Sequence, residues 1–267
     1  MNGVDTTAIV RFADSLWRAE LDRQPVQPLT DELPGLSVAE AYAIQSHNVD
    51  RRRARGGVVR GRKVGLTSRA SQDLLGVREP NFGVLLDDMF VDEGDVIEFD
   101  TLLQPRVEAE IAFVMASDLT GPGVTTITAL AAVAGAVPAI EVLDSRIADW
   151  RFQHVDTVAD NAAAARAVVG SRITRVDDLD LRLLGVLFYR NGTPIGDGAG
   201  AAVLGNPARC IAWLANRLGE FGDGLRAGDV ILAGALHRMV PVRPGDFFHA
   251  DFAHLGSVSA EFSEVAA

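Results

Sequence analysis

The sequence contains only one cysteine, Cys210, among 267 residues. A single cysteine excludes an internal disulfide bond and any metal cluster built on several cysteine ligands. Cys210 directly precedes the apolar run IAWLA, so we expect it to be buried and unreactive. The first residues lack the basic and apolar pattern of a secretion signal, and no uninterrupted apolar run approaches about 18 residues. We therefore expect a cytoplasmic protein that does not interact with a membrane.

Positive charge is also scarce. Lys and Arg together number 25 against 36 Asp and Glu, which gives a formal net charge of −11. Nucleic-acid binding requires clustered basic residues, so this balance argues against a nucleic acid as partner. Hydrophobic residues make up 48% and charged residues 23%, as in ordinary globular proteins. No 20- to 50-residue repeat occurs. The composition indicates a globular protein that acts on something other than a polyanion.

The N-terminal part of the chain has helical patterns. Apolar residues at helical spacing predict a helix over 6–22. Ser37 followed by Glu40 forms the signature of a capping box, in which a new helix begins. A connector that contains proline, residues 25–36, separates the two helices. We predict an N-terminal helical region over 1–60.

From Lys63 onward the patterns change to those of β-strands. The Asn191-Gly192 pair predicts a type I′ hairpin. Two helices, 127–136 and 207–220, interrupt the strands without regular alternation, which argues against a doubly wound parallel sheet. We predict an α/β (α+β) fold in which 61–267 form one catalytic unit around a mixed, curled sheet flanked by helices. The predicted strands are Val96–Phe99, Val107–Val114, Ala139–Leu143, Leu183–Tyr189, Val230–Ala233 and Ser257–Phe262.

Three glutamates stand out within these strands. Successive side chains of a strand point to opposite faces, so Glu108 and Glu110 project together from one face of 107–114. Two like charges repel, and water or a divalent cation must offset the repulsion. Glu141 lies within a second apolar strand. Three carboxylates suit Mg²⁺ or Mn²⁺, which prefer oxygen ligands. The spacing alone leaves open a second interpretation, in which Glu108 and Glu110 line the solvated face of an edge strand.

Several motifs resemble one known family. The chain is similar to the 2-keto-4-pentenoate (2-hydroxypenta-2,4-dienoate) hydratases, in the hydratase and decarboxylase branch of the fumarylacetoacetate hydrolase superfamily. The similarity extends over nearly the whole chain. The motifs that carry it are GRKVGLT at 61–67, LGV at 75–77, EPNFG at 79–83, QPRVEAE at 104–110, SRIADW at 145–150, VDTVADNA at 155–162 and GDVIL at 228–232.

The resemblance implies a function and a set of site residues. It implies a mixed β-roll core like the fumarylacetoacetate hydrolase C-terminal domain and a homo-oligomer, a pentamer or decamer. It also implies a role in the meta-cleavage catabolism of aromatic or sterol rings, and a possible complex with the pathway aldolase or decarboxylase. The metal carboxylates fall on Glu108, Glu110 and Glu141, the catalytic lysine falls on Lys63, and the residues expected beside the substrate are Leu66, Asp156 and Asn161.

Alternatives remain for some of these residues. By its sequence context, Lys63 has the alternative of a surface lysine. Asp156 and Asn161 are of the residue types that most often cap helices.

By resemblance, the substrate is a 2-hydroxy-2,4-dienoate held through its carboxylate and C2 oxygen. Its ketonisation needs a proton donor, and its hydration needs a group that orients water. As a hypothesis, Lys63 stabilises enolate charge or transfers protons.

The chain also departs from the family pattern. Asn81 occupies the position of a family aspartate, and an amide cannot take a proton as a carboxylate does, so Asp88 is the fallback for a catalytic base. Ala163 and Ala233 replace hydroxyl-bearing residues, and a Gly-Pro pair reads His237-Arg238. Arg238 either binds a second substrate carboxylate or is a solvated loop residue.

Three functions follow from this reading. The first is hydration of 2-hydroxypenta-2,4-dienoate or a close analogue to a 4-hydroxy-2-oxo acid. The second is metal-dependent decarboxylation of a substrate such as 4-oxalocrotonate. The third is a weakly active partner subunit of such an enzyme, suggested only by the departures at Asn81, Ala163 and Ala233.

Overall fold

The N-terminal helices form as the sequence predicts. The computed structural model describes residues 6–177 and 179–265, so 1–5, 178 and 266–267 of the two predicted regions lie outside the described residues. Ser37 Oγ accepts a hydrogen bond from the amide of Glu40, whose carboxylate accepts one from the amide of Ser37, which confirms the capping box. The division at residue 60 stays a prediction. The helices of this region are α1 (Thr6–Asp22), α2 (Leu29–Glu32) and α3 (Val38–Ala54).

A mixed sheet of eight strands forms the centre of the protein. Its strand order is β2-β1-β10-β5-β6-β7-β3, and β11 also pairs with β5. Most pairs are antiparallel, but β1 with β10 and β3 with β7 are parallel. The predicted mixed, curled sheet is confirmed. Its strands are β1 (Val59–Gly65), β2 (Asn81–Leu86), β3 (Phe90–Val91), β5 (Arg106–Met115), β6 (Val133–Leu143), β7 (Ala164–Val169), β10 (Val230–Ala235) and β11 (Val240–Pro241).

A second sheet of five strands packs against the first, in the order β4-β13-β12-β8-β9. Asn191 and Gly192 both have positive φ, 51° and 78°, as a type I′ turn requires, so the predicted hairpin is confirmed. Its strands are β4 (Val96–Ile97), β8 (Gly185–Arg190), β9 (Thr193–Ala199), β12 (Phe247–Phe252) and β13 (Gly256–Phe262). The remaining helices are α4 (Arg69–Leu75), α5 (Thr126–Ala131), α6 (His154–Ala159) and α7 (Ala208–Glu220).

Strand β5 divides two hydrophobic clusters. Val107, Ile111 and Phe113 belong to the larger cluster, which α7 and the five-stranded sheet also enter. Ala112 belongs to a smaller cluster on the other face. Because strand side chains alternate, Glu108 and Glu110 share the face of Ala112, which confirms the predicted separation of the acidic and apolar residues.

One predicted helix is wrong in its second half. Helix 127–136 ends at Ala131, and β6 begins at Val133. Ala136 pairs with Phe113 of β5, and both residues are fully buried. Local alanine content favours a helix here, but the pairing of β6 along the whole of β5 outweighs that preference. The extension matters for the site because β6 carries Glu141.

No helix within 6–177 or 179–265 has both the length and the apolar character needed to cross a membrane.

Candidate active site: an acidic cluster with a buried lysine

Two neighbouring strands bring the three glutamates together. Glu108 of β5 lies directly opposite Glu141 of β6, and Glu110 follows two residues later on the same face of β5. One carboxylate oxygen from each residue lies within 4.8 Å of the other two. Glu110 and Glu141 are buried, with 1% and 0% of their surface exposed, and Glu108 is half-buried. The interpretation as the solvated face of an edge strand is therefore wrong, because β5 is interior and two of the three carboxylates are inaccessible to water.

Lys63 of β1 lies in the same cluster. Its Nζ is 3.1 Å from Glu141 Oε2, and the residue is 3% exposed, so the surface-lysine alternative is wrong. Burial acts to lower the pKa of Lys63, but the charges of Glu141, Glu110 and Glu108 outweigh it and raise the pKa above its usual value. Lys63 is therefore an ammonium ion at neutral pH.

One lysine does not balance three carboxylates. Burial, together with the charge of Glu141, raises the pKa of Glu108 to about 8 and that of Glu110 well above its usual range. Neither oxygen of Glu141 accepts an aligned hydrogen bond, although Lys63 Nζ is close to one of them. Buried acceptors without partners are costly. A divalent cation would remove both defects, and three carboxylate donors are the chemistry that Mg²⁺ and Mn²⁺ select. The residues present thus fit such an ion.

Asn81 lies beside Lys63. It pairs with Gly65 across β2 and β1, it is 1% exposed, and its Oδ1 accepts no hydrogen bond. A Cβ atom on Gly65 would collide with Asn81 Oδ1 and would lie 3.6 Å from Lys63 Nζ. The amide oxygen and the ammonium therefore border the same small space, which stays open because residue 65 is glycine. An unpaired acceptor at this position is suited to bind water or a substrate hydroxyl.

Leu66 lies at the end of β1, next to this space. It is half-buried and has a φ of 57°, in the left-handed region that leucine rarely adopts. Its carbonyl accepts a hydrogen bond from Gln72 Nε2, which holds the turn into α4. Such local strain is typical of functional sites. The predicted contact of Leu66 with substrate stays a prediction.

The side chains of Asp156 and Asn161 form hydrogen bonds with other parts of the protein. Asp156, fully buried, accepts hydrogen bonds from the amide and hydroxyl of Thr30 and from the amide of Gln153. Asn161 pairs through both side-chain atoms with the backbone of Val84. The prediction that Asp156 binds substrate is therefore corrected: its oxygens are occupied in joining α2 to α6. Asn161 borders the site through its backbone, because its carbonyl would collide with a Cβ on Gly83, the strand partner of Lys63.

Asp88 and Arg238 do not join the glutamates. Asp88 follows the far end of β2, its side chain is 62% exposed, and it pairs with Arg52 of α3. Its assignment as the fallback base is corrected on these grounds. Arg238 is exposed in the loop between β10 and β11, and within the described part of the chain its side chain makes no hydrogen bond or ion pair that would hold it at the site. Of the two interpretations of Arg238, the solvated loop residue fits the structure.

Three residues of the site carry little signal in the sequence. The amide of Gly234 donates a 2.7 Å hydrogen bond to Glu110 Oε2. A Cβ on Gly234 would collide with the side chain of Thr67, so the two residues are in close contact. His237 Nε2 accepts a hydrogen bond from the amide of Ala109, between the two glutamates of β5. Thr67 ends the GRKVGLT motif, and His237 is a departure from the family pattern, so the sequence draws attention to both positions. Their contacts, however, can be seen only in the tertiary structure.

A large cleft elsewhere does not compete with this cluster. About 1190 Å³ of space lies between α1 and the connector that follows it, with Arg11, Asp14 and Asp31 among its lining residues. These side chains are engaged in surface ion pairs. The buried acidic cluster, rather than the size of a cleft, marks the site.

Comparison with known proteins places the chain in a family. Residues 57–263 match the family described as fumarylacetoacetate (FAA) hydrolase C-terminal. The chain belongs to this family. The matched stretch contains Lys63, Asn81 and all three glutamates, so the whole site lies within the part of the chain that matches the family.

The chain is similar over nearly its whole length to several named proteins. It is 48% identical to a 2-keto-4-pentenoate hydratase of Paraburkholderia xenovorans (strain LB400) over 250 residues, which are 94% of this chain and 93% of the relative. It is 41% identical to a 4-oxalocrotonate decarboxylase of Pseudomonas sp. (strain CF600) over 254 residues, 95% and 96% of the two chains. Among solved structures it resembles the 4-oxalocrotonate decarboxylase from Pseudomonas putida G7, complexed with magnesium and adipate. That match has a TM-score of 0.94 at 38% identity and covers 98% of this chain and 100% of the other.

Proposed function

We propose that the protein is a carbon–oxygen lyase that uses a divalent metal, Mg²⁺ or Mn²⁺, to add water to 2-hydroxypenta-2,4-dienoate or a close analogue. The product is a 4-hydroxy-2-oxo acid. The observation that carries the proposal is the cluster of Glu108, Glu110 and Glu141 with Lys63, in a chain 48% identical over 250 residues to a named hydratase. The role is in meta-cleavage catabolism of aromatic or sterol rings.

Glu108, Glu110 and Glu141 would hold the metal. When bound, it would supply Lewis acidity to the substrate carboxylate and C2 oxygen. Lys63 stays protonated because three carboxylates surround it. It therefore acts through the positive charge of Nζ and as a proton donor to the dienolate. Donation of this proton to C5 of the dienolate gives an α,β-unsaturated 2-oxo acid, and the proton that the 2-hydroxyl released on forming the dienolate restores the ammonium of Lys63. C4 of the product is then open to addition of water.

Asn81 supplies an acceptor for that water. Its Oδ1 is buried and accepts no hydrogen bond within the protein. An amide orients a water molecule through its oxygen but cannot take its proton. The proton released by water must therefore go to another acceptor, such as the enolate carbon C3 of the substrate itself. Fixing both reacting groups in one small space supplies the orientation that the reaction needs.

Decarboxylation of 4-oxalocrotonate is the second candidate. The TM-score of 0.94 to a decarboxylase favours keeping it, because the same metal and enolate chemistry serves both reactions. The exposed position of Arg238, the residue predicted to bind a second carboxylate, counts against it. The third candidate, a weakly active partner subunit, rests on Asn81, Ala163 and Ala233 alone.

One assay separates the three. Purified protein with Mn²⁺ or Mg²⁺ receives the five-carbon dienoate and then 4-oxalocrotonate, while ultraviolet absorbance and CO₂ are followed. Loss of dienoate absorbance without CO₂, and formation of a 4-hydroxy-2-oxo acid, is the expected result. Release of CO₂ from 4-oxalocrotonate at a comparable rate would establish the decarboxylase instead. Inactivity on both substrates would favour the partner subunit.

The assembly and location of the protein are part of the proposal. We propose a homo-oligomer, a pentamer or decamer, located in the cytoplasm and able to associate with the pathway aldolase or decarboxylase. Light scattering of the purified protein gives the mass of the assembly directly. A mass equal to one 28.4 kDa chain would contradict the oligomer.

A further inference from the structure

The strand that carries Glu108 and Glu110 loses its regular partner between them. Leu232 of β10 pairs with Ala112, but the next pair is Ala235 with Glu110, so the register shifts and β10 ends. Strand β11 resumes the pairing only at Val107, opposite Val240. The backbone of Ala109 therefore faces the connection between β10 and β11. A buried amide in this position needs an acceptor.

The imidazole of His237 supplies that acceptor. The amide of Ala109 donates to His237 Nε2 at 3.1 Å, and the carbonyl of Ala109 accepts from the amide of Leu236 at 3.2 Å. His237 Nδ1 lies 2.8 Å from the carbonyl of Arg238, which can only accept, so Nδ1 carries the proton and Nε2 is free to accept. A side chain thus replaces the missing carbonyl of a neighbouring strand.

The second sheet fixes the ring of His237 in place. The ring stacks on Phe188 of β8, with centroids 4.5 Å apart and an angle of 28° between the planes. The backbone of Gly196 in β9 covers it, since a Cβ there would lie 3.5 Å from His237 Cγ. Burial lowers the pKa of His237, which keeps the ring neutral. The acceptor is therefore held rigidly against β5.

The same connection also holds Glu110 directly. The amide of Gly234 donates to Glu110 Oε2 at 2.7 Å. The segment 234–237 thus makes three hydrogen bonds to 109–110 of β5, one to a carboxylate and two to the peptide groups between the glutamates. Substitution of a group that orients a metal ligand typically weakens metal binding or activity by about 10- to 100-fold.

We propose that His237 is a positioning residue for the metal site, whose Nε2 fixes the β5 backbone between Glu108 and Glu110 and so sets the spacing of the two carboxylates. The proposal rests on the proposed function, because it takes these glutamates as metal ligands. It gives His237 a role that a glycine at this position would not fulfil. The competing explanation is that His237 only fills space between the two sheets by stacking on Phe188.

Two substitutions distinguish a positioning role of His237 from a role in filling space between the two sheets. His237→Phe keeps an aromatic ring on Phe188 and removes the acceptor, whereas His237→Gln removes the ring and places an amide oxygen near the position of Nε2. His249→Phe is the matched control, since His249 is a partly exposed histidine of β12 that pairs with Asp251. The dissociation constant for Mn²⁺ is measured from the paramagnetic resonance of free Mn²⁺, well below each variant's melting temperature.

His237→Phe is expected to weaken Mn²⁺ binding about tenfold, as loss of an orienting group does in other metal sites. His237→Gln is expected to stay within about threefold of the parent because it retains an acceptor, and His249→Phe should match the parent. In the metal-free protein, hydrogen exchange of the peptide that contains Ala109 should accelerate in His237→Phe alone. This last readout needs neither metal nor substrate.

Equal Mn²⁺ affinity in the parent and His237→Phe would overturn the positioning role, as would weak binding in His237→Gln with normal binding in His237→Phe. If His237→Phe does not fold, His237→Asn takes its place, because asparagine is one bond too short to reach Ala109, and it must then bind more weakly than His237→Gln. Failure of the parent itself to bind Mn²⁺ would refute the proposed metal site, an outcome distinct from failure of the positioning role.

Discussion

Lys63 Nζ on β1 lies 3.1 Å from Glu141 Oε2 on β6, although β10 and β5 separate these strands in the sheet. Neighbouring strands are about 4.8 Å apart, so a flat sheet would place the two backbones about 14 Å from each other. The curl of the sheet and the length of the two side chains close that distance. The result is an ammonium held inside a ring of carboxylates, where it stays charged and can donate a proton.

Replacing Lys63 tests its part in the chemistry. We expect Lys63→Met to lower kcat by about 10²- to 10⁴-fold, the usual contribution of a positioned proton donor. Mn²⁺ affinity should be retained or increased, because the substitution removes a positive charge from the cluster. Steady-state kinetics and Mn²⁺ titration of the same preparation give both numbers. A variant with parental kcat and parental affinity would remove Lys63 from the mechanism.

Asn81 is expected to act on turnover rather than on folding alone. Asn81→Ala removes the unpaired Oδ1, and we expect kcat to fall about tenfold, the value of one hydrogen bond to a reacting group. Asn48 is the matched control, because its Oδ1 also lacks a partner but belongs to α3, away from the glutamates. Asn48→Ala should leave kcat unchanged. Equal kcat values for the two variants would show that Asn81 Oδ1 has no role in catalysis.

Asp156 is expected to matter for stability and not for substrate binding. Asp156→Asn replaces one of the two oxygens that accept these three hydrogen bonds with an NH₂ group, which then faces N–H and O–H donors that it cannot accept from. The free energy of unfolding should fall by about 2–3 kcal/mol. KM should not change. Asp31→Asn, at a surface ion pair with Arg151, should cost less than about 1 kcal/mol. A raised KM in Asp156→Asn at unchanged stability would restore its predicted contact with substrate.

The stability of the metal-free protein should depend on pH through Glu108. Its pKa rises from 4.5 to about 8 on folding, because of burial and the charge of Glu141. The folded protein therefore holds a proton that the unfolded chain releases, and stability falls as pH rises from about 4.5 to 8. Chemical denaturation across this range measures the slope, which Glu108→Gln should reduce but not abolish, because the pKa of Glu110 is also raised. A parental slope in Glu108→Gln would assign the effect to another group.

Parts of the fold could be predicted from the sequence because their signals are local. The capping box at Ser37, the Asn191-Gly192 turn and the alternation along β5 each depend on a few neighbouring residues. Strands β1 and β2 were not predicted, since their glycines and charged residues do not look like strand interior. Positions 65 and 83 are glycines because Lys63, Asn81 and Asn161 come close to the backbone there.

The residue pattern by itself singles out the acidic part of the site, and the family resemblance adds Lys63 and Asn81. Carboxylates within apolar strands single out Glu108, Glu110 and Glu141, although the spacing alone leaves open the solvated face of an edge strand. The resemblance also points to Asp156 and Asp88, but Asp156 caps a helix and Asp88 pairs with Arg52 on the surface. His237 reaches Ala109 from 128 positions along the chain, and only the register shift between β10 and β5 creates its partner. Contacts of this kind depend on the tertiary structure.

Binding of a divalent cation by the three glutamates is measured most directly by calorimetric titration of the metal-free protein with Mn²⁺, alongside Glu108→Gln/Glu110→Gln. The parent should bind one Mn²⁺ per chain, and its melting temperature should rise with added metal. The double variant should show neither effect, since one carboxylate cannot hold the ion. A double variant that still binds one Mn²⁺ with parental affinity, or whose melting temperature rises as in the parent, would contradict the assignment of the metal site to Glu108, Glu110 and Glu141.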